Sequence, residues 1–270
     1  MVSVDSMQVY RGMDIGTAKP SAAEQAEVPH HLLDVADPGE EFTVTRFQAA
    51  FRQALAAIEG RGHRALLVGG TGLYVRAVVD DLSPPGQWPE ARAEVESEQD
   101  TASLHARLAA LDPAAAARME PTNRRRVVRA LEVTLGSGRP FSTFGPGLDV
   151  HPPSPFRMAG LWLPRAVVAQ RIQARVQAMV EAGLPDEVRT LARRPDGLSR
   201  TARQALGYKE FLDGMGVEEA VAETVRRTKA FARRQRMWFR RDPRITWFGA
   251  AANPFAVLPA LLGDWSRCPS

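Results

Sequence analysis

The sequence predicts an α/β protein: a parallel-sheet core interrupted by an all-helical insertion. Three observations predict it. A helix-period segment, a short apolar strand, a glycine turn and a second helix follow one another between residues 44 and 82, the order of a parallel α/β unit. From Ser83-Pro84-Pro85-Gly86 onward the spacing is helical and no strand is visible. A Pro/Gly-rich stretch at 139–155 then leads into an apolar run, Phe156–Leu163, that restores strand character.

Taken in order, Val2–Val4 reads as the end of a strand running into Asp5-Ser6. A chain that opens inside a strand is expected to lack upstream sequence. Residues 11–41 are punctuated by Gly12, Gly16, Pro20, Pro29, Pro38 and Gly39 and read as mostly loop. Val44, Phe47, Phe51, Leu55 and Ile58 are spaced by three and four, the period of one helix face, with Thr43 as cap and Gly60–Gly62 as stop. Ala65–Val68 is a buried strand meeting Gly69-Gly70-Thr71-Gly72, and Leu73, Ala77, Val78 and Leu82 line the next helix. In the insertion, Thr101 caps a helix bearing Leu104, Leu108 and Leu111. Asn123 caps another bearing Val127, Val128, Leu131 and Leu135, stopped at Gly136–Gly138. After the returning strand, Val168, Ile172, Val176 and Met179 mark a helix ending at Gly183, and a long helix spans about 217–241. The expected divisions are a first core segment at 1–84, the insertion at 85–152, a second core segment at 153–250 and a tail at 251–270.

The bulk numbers narrow the function. At 270 residues and 44% apolar content the chain can bury a large core. Its one cysteine, Cys268, excludes a disulfide framework, and the five histidines show no metal-ligand spacing. No signal peptide is visible and no apolar run approaches the ~18 residues of a membrane span, so no membrane role and a cytoplasmic location are expected. Of 35 basic residues only Lys19, Lys209 and Lys229 are lysines. Arginine makes forked contacts to phosphate, but codon bias also yields such an excess.

Four groups of residues could carry chemistry. Asp5 stands where a parallel strand ends, the edge at which open α/β sheets bind ligands. It could be a general base, a metal ligand or a cap of the next segment. The glycine turn Gly69–Gly72 opens a helix, where backbone and dipole favour an anion, and Thr71 could donate its hydroxyl to phosphate. A tight turn without a ligand explains the same residues. Arg171 and Arg175 lie four apart on one helix, with Arg175 at the edge of its apolar line and therefore expected to be partly buried with an acidic or phosphate partner. Finally, Arg124, Arg125, Arg126 and Arg129 open an insertion helix against its macrodipole, and residues 226–241 hold eight basic residues and no acid. Lys229, Arg233, Arg236 and Arg240 form a stripe beside Trp238 and Phe239, a footprint of nucleic-acid binding.

Several longer runs resemble one family. Ser3-Val4-Asp5-Ser6-Met7-Gln8-Val9-Tyr10-Arg11-Gly12-Met13-Asp14-Ile15-Gly16-Thr17-Ala18-Lys19-Pro20, Pro29-His30-His31-Leu32-Leu33-Asp34, Leu67-Val68-Gly69-Gly70-Thr71-Gly72-Leu73-Tyr74, Arg129-Ala130-Leu131-Glu132-Val133 and Ala205-Leu206-Gly207-Tyr208-Lys209-Glu210 occur in that order. They are similar to tRNA dimethylallyltransferases. The resemblance implies a P-loop NTPase-like sheet core with an insertion that grips the anticodon stem-loop. It implies transfer of a dimethylallyl group from dimethylallyl diphosphate, with Mg2+, to N6 of the adenosine 3′ of the anticodon in tRNAs reading U-initial codons. It implies a monomer. By the same resemblance Asp5 is the base, Thr71 and Arg175 hold the diphosphate or line the reaction channel, and tRNA contacts come from Asp5, Ser6, Met7, Gln8, Thr71, Arg92, Arg125, Arg126, Val127, Val128, Arg129, Arg203, Gln204, Ala205, Leu206, Gly207 and Tyr208. The metal ligands are unassigned. The 270 residues hold no Gly-x-x-x-x-Gly-Lys-Ser/Thr run, so the expected chain lacks the family's first strand and P-loop. A start assigned too far downstream explains that, and an impaired tRNA-binding protein or a small-molecule kinase are the competing readings.

Overall fold

The structure is a computed structural model describing residues 1–145 and 147–266. It divides into two compact units, Met1–Asp80 with Pro153–Ser270, and Asp81–Pro152. The elements of the first unit's N-terminal part are β1 (Val2–Ser3), α1 (Ala22–Glu27), α2 (Val44–Glu59), β2 (Leu67–Val68) and α3 (Gly72–Val79). The second unit holds α4 (Pro89–Ser97), α5 (Thr101–Leu111), α6 (Pro113–Ala117) and α7 (Arg124–Ser137). The chain then returns to the first unit with β3 (Met158–Trp162), α8 (Arg165–Glu181), α9 (Leu184–Ala192), α10 (Tyr208–Leu212), α11 (Val217–Phe239), β4 (Ile245–Gly249) and α12 (Leu258–Ser266).

Two parallel pairs replace the single sheet expected. β1 pairs with β2, Val2 opposite Leu67 and Ser3 opposite Val68. On its other side β1 bridges His31, whose carbonyl accepts from the Ser3 N–H at 3.0 Å. β3 pairs with β4 from Met158–Ile245 to Trp162–Gly249. Val2 and Val4 are buried, and α2 lays Phe47, Phe51 and Ile58 on the same core. Each such side chain contributes roughly 1.5–3 kcal/mol on burial. Gln48 of α2 donates to the Ala77 carbonyl at 2.8 Å, and the Phe47 and Tyr74 rings lie 4.4 Å apart, so α2 and α3 pack as one layer.

A buried ionic cluster fastens α3 to the turn before β4. The Asp80 carboxylate accepts from Arg76 and, at 2.6 Å, from Arg244, which also forks onto Asp242 at 2.9 and 2.7 Å. Asp80 is 2% exposed at its side chain, so losing it removes a buried negative charge that faces both the Arg76 and Arg244 guanidiniums.

The second unit has its own core of Val95, Leu104, Leu108, Val127, Val128 and Leu131. Asn123 caps α7 as the sequence predicts, and Gly138 ends it with φ at 69°. Thr101 does not cap α5. Asp100 does, accepting from Ala102 and Ser103. Asp112 caps α6 and also accepts the Ser142 N–H at 2.7 Å. Burial favours its protonated form, but the N–H donors of Ser142 and Ala115 outweigh that and hold its carboxyl below the ordinary range.

Three further regions differ from the sequence reading. Residues read as loop contain α1, capped by a Ser21–Glu24 box, the uninformative tail contains α12, and the strand read as buried at 65–68 leaves Leu66 and Val68 exposed.

Two outcomes follow for stability. Asp80→Ala is expected to cost about 3–5 kcal/mol in urea unfolding, and an unchanged midpoint would contradict the cluster's role. For Asp112, a folded pKa below the unfolded one means the stabilisation is present at neutral pH and lost as pH falls through the carboxylate range. Asp112→Asn therefore costs roughly 1–3 kcal/mol at neutral pH and flattens the acid slope of unfolding of the second unit. An unaltered slope would show the carboxylate is not the titrating group.

Candidate active site

The β1–β2 pairing delivers two turns side by side. Asp5 leaves the C-terminal end of β1, and its Oδ1 accepts the Met7 N–H at 2.8 Å and the Gln8 N–H at 3.4 Å. Oδ2 has no protein partner among the described residues, and the residue is half-buried. Across from it, Thr71 stands at the N-terminus of α3 without capping its own helix. Its Oγ1 instead accepts the Ser6 N–H at 3.0 Å and donates to Ser6 Oγ at 3.3 Å. The two turns are thus joined directly. A carboxylate, two hydroxyls and a helix N-terminus, whose dipole favours negative charge, share one edge.

The glycines of the second turn are needed because other groups come so close. A Cβ on Gly69 would lie 2.2 Å from the Val4 carbonyl oxygen. One on Gly70 would meet the Gln235 amide, and one on Gly72 the Trp238 indole. Gln235 Nε2 donates to the Gly70 carbonyl at 2.9 Å. α11 therefore packs its Gln235 and Trp238 onto the turn. Neither residue was foreseen in this role. The one signal was an uncharged amide at 235 within a basic run.

The other site residues separate into exposed and buried groups. Arg175 corrects an expectation: it is exposed on α8 with no ion pair among the described residues, and only Val176 of that helix is buried. Gln8 is an internal tie, donating to the Thr17 and Ala18 carbonyls and accepting from Ser3. Met7 is half-buried against the core. Arg203 and Gln204 are exposed and Leu206 half-buried, whereas Ala205, Gly207 and Tyr208 are buried. The Tyr208 hydroxyl donates to Glu187 at 2.5 Å.

In the second unit Arg125 and Arg126 are exposed, while Val127 and Val128 are core. Arg129 donates to Glu132 and to the Pro85 and Gly86 carbonyls, and Arg92 pairs with Glu132 and Glu96. Glu132 is 2% exposed. Both arginines thus fasten the entry of the insertion to α7. Arg124 serves the carbonyls of Glu96, Glu98 and Gln99.

α11 keeps most of its charge. Arg226 and Arg227 find acids in Glu223 and Glu210, correcting the reading of a wholly uncompensated run. Lys229, Arg233 and Arg240 stay exposed. Arg236 stacks on Trp162, and burial followed by the charges of Arg165 and Arg240 lowers its pKa. Trp162, Trp247 and Arg240 line an open cavity of about 340 Å³. Among the described residues no group of three or more His, Cys, Asp or Glu forms a metal cage, and no helix is long and apolar enough to cross a membrane.

A family model described as IPP transferase matches residues 8–242. The chain belongs to this family. It is 51% identical to a tRNA dimethylallyltransferase of Kineococcus radiotolerans across 93% of this chain and 80% of that protein. It is 47% identical to one from Streptomyces avermitilis across 97% and 85%. A crystal structure of a tRNA isopentenylpyrophosphate transferase from Bacillus halodurans superposes with a TM-score of 0.68 at 40% identity, covering 98% of this chain and 86% of that one. A eukaryotic dimethylallyltransferase acting on tRNA shares the fold, with a TM-score of 0.75 at 24% identity.

That coverage supports the P-loop NTPase-like fold of the family and corrects the expectation of a member missing its first strand and P-loop. It also overturns the reading of an enzyme impaired by that loss. The similarity runs through nearly the whole chain and over four-fifths or more of both relatives.

Gly69→Ala tests the junction of the turns. It is expected to cost roughly 1–3 kcal/mol in denaturant unfolding by prising β1 from β2. An unchanged midpoint would mean the two strands do not need that approach.

Proposed function

We propose that Asp5 is the base of the prenyl transfer and that the acceptor is the exocyclic N6 of the adenosine 3′ to the anticodon, in tRNAs reading U-initial codons. The reaction itself follows from the family: a tRNA dimethylallyltransferase moves a dimethylallyl group from dimethylallyl diphosphate to a tRNA adenosine near the anticodon. The observation that supports Asp5 is its Oδ2, left unpartnered beside Thr71 and the α3 N-terminus.

An adenine amine is a weak nucleophile because its lone pair is delocalised into the ring. As N6 bonds to the allylic carbon, the carbon–oxygen bond to diphosphate breaks and its electron pair leaves with the diphosphate. The N6 proton passes to Asp5, which restores the neutral amine. The leaving diphosphate needs positive charge and fixed donors. The Thr71 hydroxyl, the α3 N-terminus and the unpaired Arg175 are the groups we assign to it.

Prenyl transfer from a diphosphate carries a divalent-cation requirement, and magnesium is the ion proposed. The hard oxygens of Asp5, Ser6 and Thr71 suit an ion that keeps much of its water and binds through substrate phosphates. When bound it neutralises charge on the departing diphosphate.

The RNA is expected to meet exposed cations in each unit. These are Arg125 and Arg126 on α7, and Arg203, Lys229, Arg233 and Arg240 in the other unit. A tRNA substrate also argues for a cytoplasmic protein, and the proposed working form is a monomer.

Asp5→Asn is expected to cut product formation about 10²–10⁴-fold, read by mass spectrometry of the tRNA nucleosides, with tRNA affinity within about threefold of wild type. Undiminished transfer would remove Asp5 from the role of base. Replacing Arg125 and Arg126 together by Ala is expected to weaken tRNA binding and reduce the slope of log K against log salt by roughly 1.4–1.8. A slope equal to wild type would place the RNA elsewhere.

A further inference from the structure

Glu187 of α9 takes no part in the chemistry above, yet its carboxylate is fully engaged. Oε2 accepts the backbone N–H groups of Asp14 at 3.0 Å and Ile15 at 2.8 Å. Oε1 accepts the Gly16 N–H at 3.2 Å and the Tyr208 hydroxyl at 2.5 Å. Three successive N–H groups converging on one carboxylate hold that turn in a single shape. Tyr208 is fully buried. Burial, and then the bond to Glu187, push its phenol pKa up, so it remains a donor. Gly16 is pressed against the Tyr208 ring so closely that a Cβ would lie 2.3 Å from it.

The held turn leads to the base. Immediately after it, the carbonyls of Thr17 and Ala18 each accept from Gln8 Nε2 at 3.2 Å. Ala18 sits in the left-handed region at φ 47°, a conformation a non-glycine residue keeps only when its surroundings impose it. Gln8 Oε1 accepts from Ser3 Oγ at 2.8 Å, and the Gln8 N–H shares Asp5 Oδ1 with the Met7 N–H. The buried Lys19 ammonium closes the loop on Tyr10, Asp14 and Asp34.

We propose that Glu187, together with Tyr208, is a positioning residue for Asp5. The carboxylate fixes the 14–16 backbone, the residues that follow present the Thr17 and Ala18 carbonyls to the Gln8 side chain, and the Gln8 N–H joins that of Met7 on Asp5 Oδ1, which leaves Oδ2 without a protein partner among the described residues. The proposal rests on the assignment of Asp5 as base. It makes the segment ending at Tyr208 part of the support of the site.

The test compares the full chain with Glu187→Gln and Tyr208→Phe. Glutamine keeps the size of the side chain but turns one acceptor into a donor facing N–H groups. Phenylalanine keeps the ring against Gly16 and removes one bond. Measured are kcat, KM for tRNA and for dimethylallyl diphosphate, and amide hydrogen exchange at Met7, Gln8 and Asp14–Gly16. Glu187→Gln is expected to lower kcat about 10–100-fold with both KM values within about twofold, since small misplacement of a reacting group costs that much. Tyr208→Phe is expected to lower kcat by a smaller factor, about 3–10-fold, and it carries the test if Glu187→Gln fails to fold. In both, protection is lost at Met7 and Gln8 as well as at Asp14–Gly16.

Unchanged kcat overturns the proposal. So does loss of protection confined to Asp14–Gly16, or a general loss accompanied by raised KM for both substrates, which marks a merely structural role. Exchange reads the linkage without catalysis, so an active Asp5→Asn alongside an intact linkage would condemn the assigned base and not the clasp.

Discussion

The parallel pairing of Val2 and Ser3 with Leu67 and Val68 is the constraint on which the site depends. It is only two residues long, but both strands end at the same edge, and each hands its chain to a turn. Asp5 enters from one and Thr71 from the other. The Ser6 N–H on Thr71 Oγ1 then locks the turns together. Gly69 is glycine because Val4 is too close for anything larger. From this junction the supports spread in two directions: through Gly70 and Gly72 to Gln235 and Trp238 of α11, and through Gln8 to the loop that Glu187 holds. Short strands suffice because side chains finish what the ladder begins.

Arginine does two kinds of work here, and burial of the partner separates them. Arg76, Arg92, Arg129 and Arg244 answer carboxylates whose side chains are nearly inaccessible, two arginines to each of Asp80 and Glu132, so these guanidiniums are committed inside the protein. Arg125, Arg126, Arg175, Arg203 and Arg233 face solvent, with no acid to satisfy them among the described residues. A polyanion can recruit the second group without breaking the first. Charge excess alone does not reveal this division, since both groups look alike in composition.

Much of the fold was legible because periodicity and caps are local. The α2 face, the cap at Asn123 and the stop at Gly138 followed directly from spacing and residue type. The cap of α5 was misplaced by one residue because Asp100 and Thr101 are both competent, and only the carboxylate reaches two N–H groups. β4 and α12 escaped because a five-residue strand beside a basic helix and a Pro-containing tail carry little periodic signal. The site was legible at Asp5 and Thr71, which stand at element ends. It was not legible at Glu187, Gln235 and Trp238, whose roles arise from contacts about 165 or more residues away in sequence. Arg175 was misjudged because an apolar stripe need not bury the residue at its edge: Val168, Ile172 and Met179 are half-buried and Val176 is buried, while Arg175 stays exposed.

The most direct test of the account is to incubate the wild-type chain with dimethylallyl diphosphate, magnesium and an unmodified tRNA reading a U-initial codon, then map the product by digestion and mass spectrometry. The account predicts one dimethylallyl group on the adenosine 3′ to the anticodon, dependent on all three components. Bound tRNA with no modified adenosine, or a group placed at another position, would contradict it.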